Sequence, residues 1–512
     1  MIKKMYLYKF NYLKLKELLI FFISFFAINL IYCQNQSVTS SKTLLQSENI
    51  ISNAEKMLKN KSYNEMINLL TSIPKENYTY KTYFLLARGY LHLKMYEKAL
   101  SNFNKSMTIY KKIFNKNNEE TAKLHSFLAY TYQKLNKYEQ SLEHHLKTTT
   151  LLPNNPVAWT NLGNLYFKND KYSEAEKIFL TAYKLKPTSI TTLTSLGNVY
   201  YATEQYNNAL HYYQQLLNHV PNSSNAYLGI GRSLLKMNKK DKAYEMLAKG
   251  HFLSKNYPEA VVNLEKIPNL QKHNDLYKIL IASLIEAKLY SNAISRIKNA
   301  ISIYPKDDEL IYDLAKIYYI KKNYNKALEI ASEGIKKFPN SHILSVVKAQ
   351  SLISLNQKNK AKIYLEKALI IDEKDVQSRE LLAQLYREQG QKDYEYFHQA
   401  LVYYYTGNFV QANEVMRWIK EFPRKGEVNY YHGMILWKLN KNQEALNYLQ
   451  NAVKFKEDHY LAYIAIAKIY KSLKQTKKGV EILNRFIEKH PNSIHINKLR
   501  LLSKQLTSEK EN

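Results

Sequence analysis

Cysteine is all but missing from this chain: of 512 residues only Cys33 carries a thiol. Downstream of it no internal disulfide can form, and neither a thiolate zinc site nor a redox pair can be built. Acidic residues are also scarce, 44 Asp and Glu against 75 Lys and Arg, which leaves a formal net charge of +31. Such a balance bears on partners and solubility, not on fold. It reads either as attraction to acidic proteins, anionic lipid headgroups or nucleic acid, or as the codon usage of an A/T-rich genome rich in Lys, Asn, Ile and Tyr. No P-loop, HExxH, EF-hand loop or nucleophile elbow occurs, so neither a cofactor nor a metal is expected and the chain reads as no enzyme. Gly229-Ile230-Gly231 lacks the third glycine and the preceding strand of a dinucleotide site. His144 and His145 are neighbours, about 100 degrees apart on a helix, and cannot share a metal. His125, His251 and His432 fall in helix positions that suit packing or surface roles.

Long apolar runs are absent with one exception, Leu18 to Tyr32, which is shorter than the roughly 20 residues that usually span a bilayer. Lys3, Lys4, Lys9, Lys14 and Lys16 precede it, and a basic segment followed by an apolar one of this length reads as an export signal, residues 1–33. The lysines stay cytoplasmic and the rest is carried across, so the chain is expected to be periplasmic or membrane-attached outside the cytoplasm. Nucleic acid fits the charge but not this address. Cys33 marks the processing site, with three outcomes open: cleavage after it, an uncleaved anchor, or lipidation at a lipobox-like Leu30-Ile31-Tyr32-Cys33 whose Tyr32 is bulkier than that motif's small residue. Residues 34–46 (QNQSVTSSKTLLQ) are a polar tether.

What fills the remainder is a repeat. In Pro156 to Thr188 the marks are Trp159, Leu162, Gly163, Tyr166, Tyr172, Ala175, Phe179, Ala182 and Pro187. Starting from Ile190, a step of 34 residues, the same places hold Leu193, Leu196, Gly197, Tyr200, Tyr206, Ala209, Tyr213, Leu216 and Pro221. Small residues sit where two antiparallel helices cross, larger apolar ones at three- and four-residue spacing form each buried stripe, and proline closes the second helix. Many of the 45 tyrosines share two slots of the unit, their rings packing between helices while the hydroxyls reach water. Period and pattern resemble the tetratricopeptide repeat, a helix-turn-helix unit. The resemblance implies an all-α solenoid, here of about 12 units, in which each unit packs only on its neighbours.

Units begin near Ser47, Tyr80, Ala122, Pro156, Ile190, Ser224, Asn274, Asp308, His342, Asp393, Gly426 and Tyr460. The wide step from Tyr80 to Ala122 predicts lengthened helices or a longer turn around Lys111 to Glu120. Phase slips by 17 residues, one helix, from 224 to 241 and again from 376 to 393. Blocks are therefore expected over 47–240, 241–392 and 393–493, followed by a capping helix and polar tail over 494–512.

The resemblance also implies function. Members of this family bind proteins or peptides along a concave face lined by first helices, so the chain reads as a scaffold with protein partners, acidic ones favoured by its charge. An alternative is a basic module that binds anionic lipid or cell-wall polymer. Carried over slot by slot, the outward positions are Thr160, Asn164 and Lys168, then Thr194, Asn198 and Tyr201, then Arg232. Asn164 and Asn198 occupy equivalent slots, where their amides could bond the backbone of an extended peptide or simply be solvated. The family's carboxylate-clamp variant is not supported, because Thr160 stands in place of its lysine and Gly229 in place of its arginine. Arg88, Lys134, Lys278, Lys316 and Lys348 occupy groove slots of other units.

Overall fold

The structure, a computed structural model, describes residues 48–114 and 118–508. The export signal, Cys33 and the polar tether lie outside the described residues. Every regular element among the described residues is helical. The chain divides into two compact units, Met1–Pro268 and Asn269–Asn512.

The first unit runs through α1 (48–59), α2 (Tyr63–Thr71), α3 (Tyr80–His92), α4 (Tyr96–Phe114), α5 (Glu119–Lys134), α6 (Tyr138–Leu151), α7 (Pro156–Lys168), α8 (Tyr172–Leu185), α9 (Ile190–Ala202), α10 (Tyr206–His219), α11 (Ser224–Lys236), α12 (Lys240–Leu253) and α13 (Tyr257–Leu264). The second holds α14 (Asn274–Glu286), α15 (Tyr290–Ile303), α16 (Asp308–Ile320), α17 (Tyr324–Lys337), α18 (His342–Ser354), α19 (Lys358–Ile371), α20 (Val376–Glu388), α21 (Lys392–Tyr405), α22 (Phe409–Met416), α23 (Lys425–Lys438), α24 (Asn442–Phe455), α25 (Tyr460–Ser472), α26 (Thr476–Lys489) and α27 (Ile496–Ser508). The wide step near residue 111 is taken up by longer helices, α4 with 19 residues and α5 with 16. The capping helix forms as α27 and buries Ile496, Leu499 and Leu506, packing on α26.

Two local devices repeat. Several first helices start from a short polar side chain that accepts a backbone N–H: Asn155 from Val157, Ser189 from Thr192, Ser223 from Ala226, Asp307 from Glu309 and Asp375 from Gln377 and Ser378. These are the residues that follow the closing turns, and they satisfy amides the first helical turn leaves unpaired. The turn into each second helix passes through a left-handed residue, at Lys61, Lys94, Asn136, Asp170, Glu204, Asn238 and Lys255 in the first unit and at Lys288, Lys322, Asn356, Gly390, Gly407, Asn440 and Lys474 in the second. Around Glu204 (φ 60°), Gln205 N–H bonds back to Tyr200 O at 2.8 Å and Glu204 N–H to Tyr201 O at 3.2 Å, closing the end of α9.

Glycine and ring interlock where helices cross. Tyr213 on α10 is 1% exposed, and a methyl group added at either Gly197 on α9 or Gly229 on α11 would overlap its ring. Phe179 stands in the same relation to Gly163 one repeat earlier, and Leu247 to Gly231 one repeat later. The glycines of Gly229-Ile230-Gly231 are thus packing residues, one for each neighbouring second helix.

The half-repeat slips are real. α12 packs on α11 as its second helix and on α13 as a first helix; α21 does the same between α20 and α22. Each odd partner is short, eight residues against fourteen for α12 and α21; α13 ends just before Ile267-Pro268, whereas α22 ends at Met416, well before Phe422-Pro423. The opening hairpin shares the device, for α2 has nine residues and ends before Ile73-Pro74.

Two stability changes follow. Gly197→Ala or Gly229→Ala should each cost roughly 1–3 kcal/mol in urea unfolding through overpacking on Tyr213. Glu204→Gly should raise stability by about 0.5 kcal/mol, because the left-handed strain it relieves exceeds the extra chain entropy glycine loses.

Candidate functional site

The face in question is the row of first helices α7, α9 and α11, each touching the next within the first unit. The expected ligand positions do not behave alike there. Thr160 is 3% exposed; its hydroxyl bonds Pro156 O at 2.8 Å and meets the Thr192 hydroxyl at 2.9 Å. It does not face outward but ties α7 to α9, because a threonine is small enough to bury once its hydroxyl bonds the carbonyl four residues back. Asn164 is half-buried, and its Oδ1 accepts from Ser195 Oγ at 3.0 Å, a second tie between the same helices. Asn198 accepts at Oδ1 from the Tyr213 hydroxyl at 2.7 Å. The two amides thus sit in equivalent slots, but each carbonyl oxygen is already committed to the frame. Thr194 bonds its own helix at Ile190 O, 2.8 Å, and Lys168 is exposed.

Two of the expected residues meet directly, and a third lies next to them through Tyr213. Arg232 on α11 lies over the Tyr201 ring of α9 at 5.7 Å, and its Nε donates to Leu228 O at 3.3 Å. Tyr213 beneath links this pair to Asn198: burial pushes its phenol up to about 12, the Arg232 charge opposing the shift. The hydroxyl therefore stays protonated and donating at neutral pH. Asn198, Tyr201 and Arg232 form one preset patch of amide, ring and guanidinium across two repeats. Tyr213, which holds Asn198, and Ser195, which holds Asn164, are absent from the expected set. Tyr213 was legible in principle, since it is the one residue of the Phe179 slot that carries a hydroxyl.

The basic groove slots elsewhere are mostly engaged. Lys278 pairs with Asp307 at 2.7 Å and Glu309 at 2.6 Å. Lys134 lies over Tyr130 at 5.3 Å, Lys316 over Tyr312 at 5.5 Å and Lys348 over Tyr364 at 4.1 Å, with stems on rings and heads toward water. Arg88 stacks on Phe127 at 5.3 Å, and burial lowers its basicity.

The histidines are packing groups. His125 and His144 bring their Nδ1 atoms within 2.7 Å across α5 and α6, while His145 is buried apart from them. Burial pushes His125, His145 and His432 down to about 4, so all three are neutral at pH 7. Among the described residues no group of three or more His, Cys, Asp or Glu could hold a metal ion, and no helix is long and apolar enough to cross a membrane.

Four family models, each described as Tetratricopeptide repeat, match the chain: one at residues 78–154 and 156–222, one at 200–251 and 284–350, one at 345–375 and 427–459, and one at 461–493. Among curated proteins, the TPR repeat-containing protein MJ1428 of Methanocaldococcus jannaschii is 23% identical over 312 residues, 55% of this chain and 49% of that protein. The Protein O-mannosyl-transferase TMTC3 of Homo sapiens is 27% identical over 318 residues, 59% of this chain and 31% of that one. The chain therefore spans less than half the length of either curated relative. Among solved structures, MamA is 19% identical over 35% of this chain and 94% of that one, with a TM-score of 0.30. The APC/C hetero-tetramer Cut9-Hcn1 is 14% identical over 83% of this chain and 90% of that one, with a TM-score of 0.28.

The buried histidines fix a pH response. Their folded basicity lies below the unfolded value of about 6.5, so the unfolded chain binds more protons and stability falls as pH drops from about 6.5 toward 4. Urea midpoints should decline across that window, and His145→Leu should flatten the decline; a midpoint independent of pH would contradict these assignments.

Proposed function

Because the chain belongs to the tetratricopeptide-repeat family, whose helical hairpins are a protein-binding fold, we propose that it is a non-enzymatic scaffold of the bacterial cell envelope. On this reading Met1 to Cys33 directs export, and the face of first helices holds one or more partner proteins. The observation that supports it most is the patch in which Arg232 lies over Tyr201 and Tyr213 holds Asn198. A ring and a guanidinium already set on a rigid frame lose little entropy when a partner docks, and tyrosine and arginine are the residues that most often dominate such contacts.

The basic excess fits an acidic partner surface and would raise the association rate. It equally fits the second reading, a module for anionic lipid or cell-wall polymer. Salt separates them: a polymer or lipid contact weakens steeply between low and physiological ionic strength, whereas a seated protein resists.

Crosslinking and affinity capture from membranes should recover a protein partner whose yield drops roughly tenfold or more with Arg232→Glu or Tyr201→Ala. Helicity should be unchanged, and the mature N-terminus should be Gln34 or a lipidated Cys33. Capture that ignores both substitutions would remove the assigned face. An intact Met1 on a cytosolic chain would remove the envelope.

A further inference from the structure

The second half-repeat slip leaves a cavity. Within the second unit, α22 stops after eight residues, and the segment that follows is pinned back when the Asp393 carboxylate accepts Lys420 N–H and Glu421 N–H, both at 3.0 Å. This brings Phe422 onto Tyr394, with ring centroids 4.8 Å apart, and onto Phe397 at 4.6 Å. The space so framed measures about 350 Å³, the lower end of the range for small-molecule sites. Its apolar wall is largely aromatic, including Tyr386, Tyr394, Phe397 and Phe422.

Two polar groups in this wall are incompletely matched, one a cation without a paired carboxylate and the other a nitrogen without a hydrogen bond. Arg379 is 4% exposed; its Nε and Nη2 donate to the neutral carbonyl of Glu373, at 3.1 and 2.6 Å, and its guanidinium lies over the Tyr405 ring at 5.3 Å. Among the described residues no carboxylate lies within ion-pair distance of it. His398 is stacked on Tyr386 at 5.6 Å and buried, and its Nδ1 has no hydrogen-bond partner. Burial, aided by Arg379 and Arg424, pushes this imidazole down to about 3, so it is neutral and free to donate.

The three carboxylates that line the same space are otherwise engaged. Glu366 accepts from Tyr386 and Glu373 from Tyr405, both at 3.3 Å, and Glu427 faces Arg424 at 3.7 Å. A buried cation held by a carbonyl and a ring but by no paired anion, and a buried nitrogen bonded to nothing, each carry a desolvation cost that an anionic ligand would offset.

We propose that this cavity is a binding site for a small carboxylate with a flat aromatic body, its carboxylate meeting Arg379 and His398 and its ring lying among Tyr386, Tyr394 and Phe422. Arg424, exposed at the rim beside Glu427, adds a guanidinium along the way in. The site is independent of the partner-binding face, which lies in the other unit, so neither stands or falls with the other.

Calorimetric titration of the full chain tests this with phenylacetate, its neutral isostere phenylacetamide and the cation 2-phenylethylamine. Phenylacetate should bind saturably, phenylacetamide roughly tenfold more weakly or worse, since a charge-assisted contact is lost, and 2-phenylethylamine not at all. Arg424→Gln, at an exposed position that leaves the packing alone, should weaken phenylacetate about threefold. His398→Phe should weaken it about tenfold while raising the melting temperature of the free chain, because an orphaned buried nitrogen is removed. No saturable phenylacetate binding, equal affinity for the amide or the amine, or unchanged affinity in His398→Phe would each overturn the proposal. So would binding of an aromatic-ended peptide without binding of phenylacetate.

Discussion

Close approach of neighbouring helices is the constraint on which the first unit's central repeats depend, and Tyr213 shows how it is met. Its ring fills the volume left by two missing side chains, Gly197 on one neighbour and Gly229 on the next. One residue therefore sets the spacing of three helices. Interiors packed at this density do not yield gradually, so the same ring that fixes the spacing also fixes what its hydroxyl holds. Through Asn198, a packing requirement becomes a surface with fixed chemistry.

Uniform repetition would give only more of the same surface. The two slips break it in a defined way: one helix serves two hairpins, and the odd partner has only eight residues. Around α22, where the missing turns are replaced by a pinned segment, the packed rings frame a cavity and leave His398 Nδ1 unpaired in its wall beside Arg379. The irregular places thus carry the polar groups that the regular hairpins would have satisfied or excluded.

Most of the fold was legible because it is set by local rules. The step of 34 residues, the small residues at the crossings and the half-repeat slips all concern neighbours in sequence, and the helices fall where that pattern puts them. The site was legible only in part. Thr160 was placed on the outer face by its slot, whereas its hydroxyl pairs with Thr192 and its methyl packs; the slot determines the direction of a side chain only to within the rotation that a buried hydrogen bond can exploit. Asn164 is held by Ser195, 31 residues away, and the wall of the unit 2 cavity is assembled from helices between Glu366 and Leu461. Such pairings depend on the register between helices, which periodicity does not specify.

The assignment of the first-helix face is tested most directly by hydroxyl-radical footprinting of the chain alone and with its captured partner. The account predicts that Tyr201 on α9 becomes protected while exposed His211 on α10 is unchanged. Protection of His211 with Tyr201 left reactive would contradict it and place the partner on the second helices.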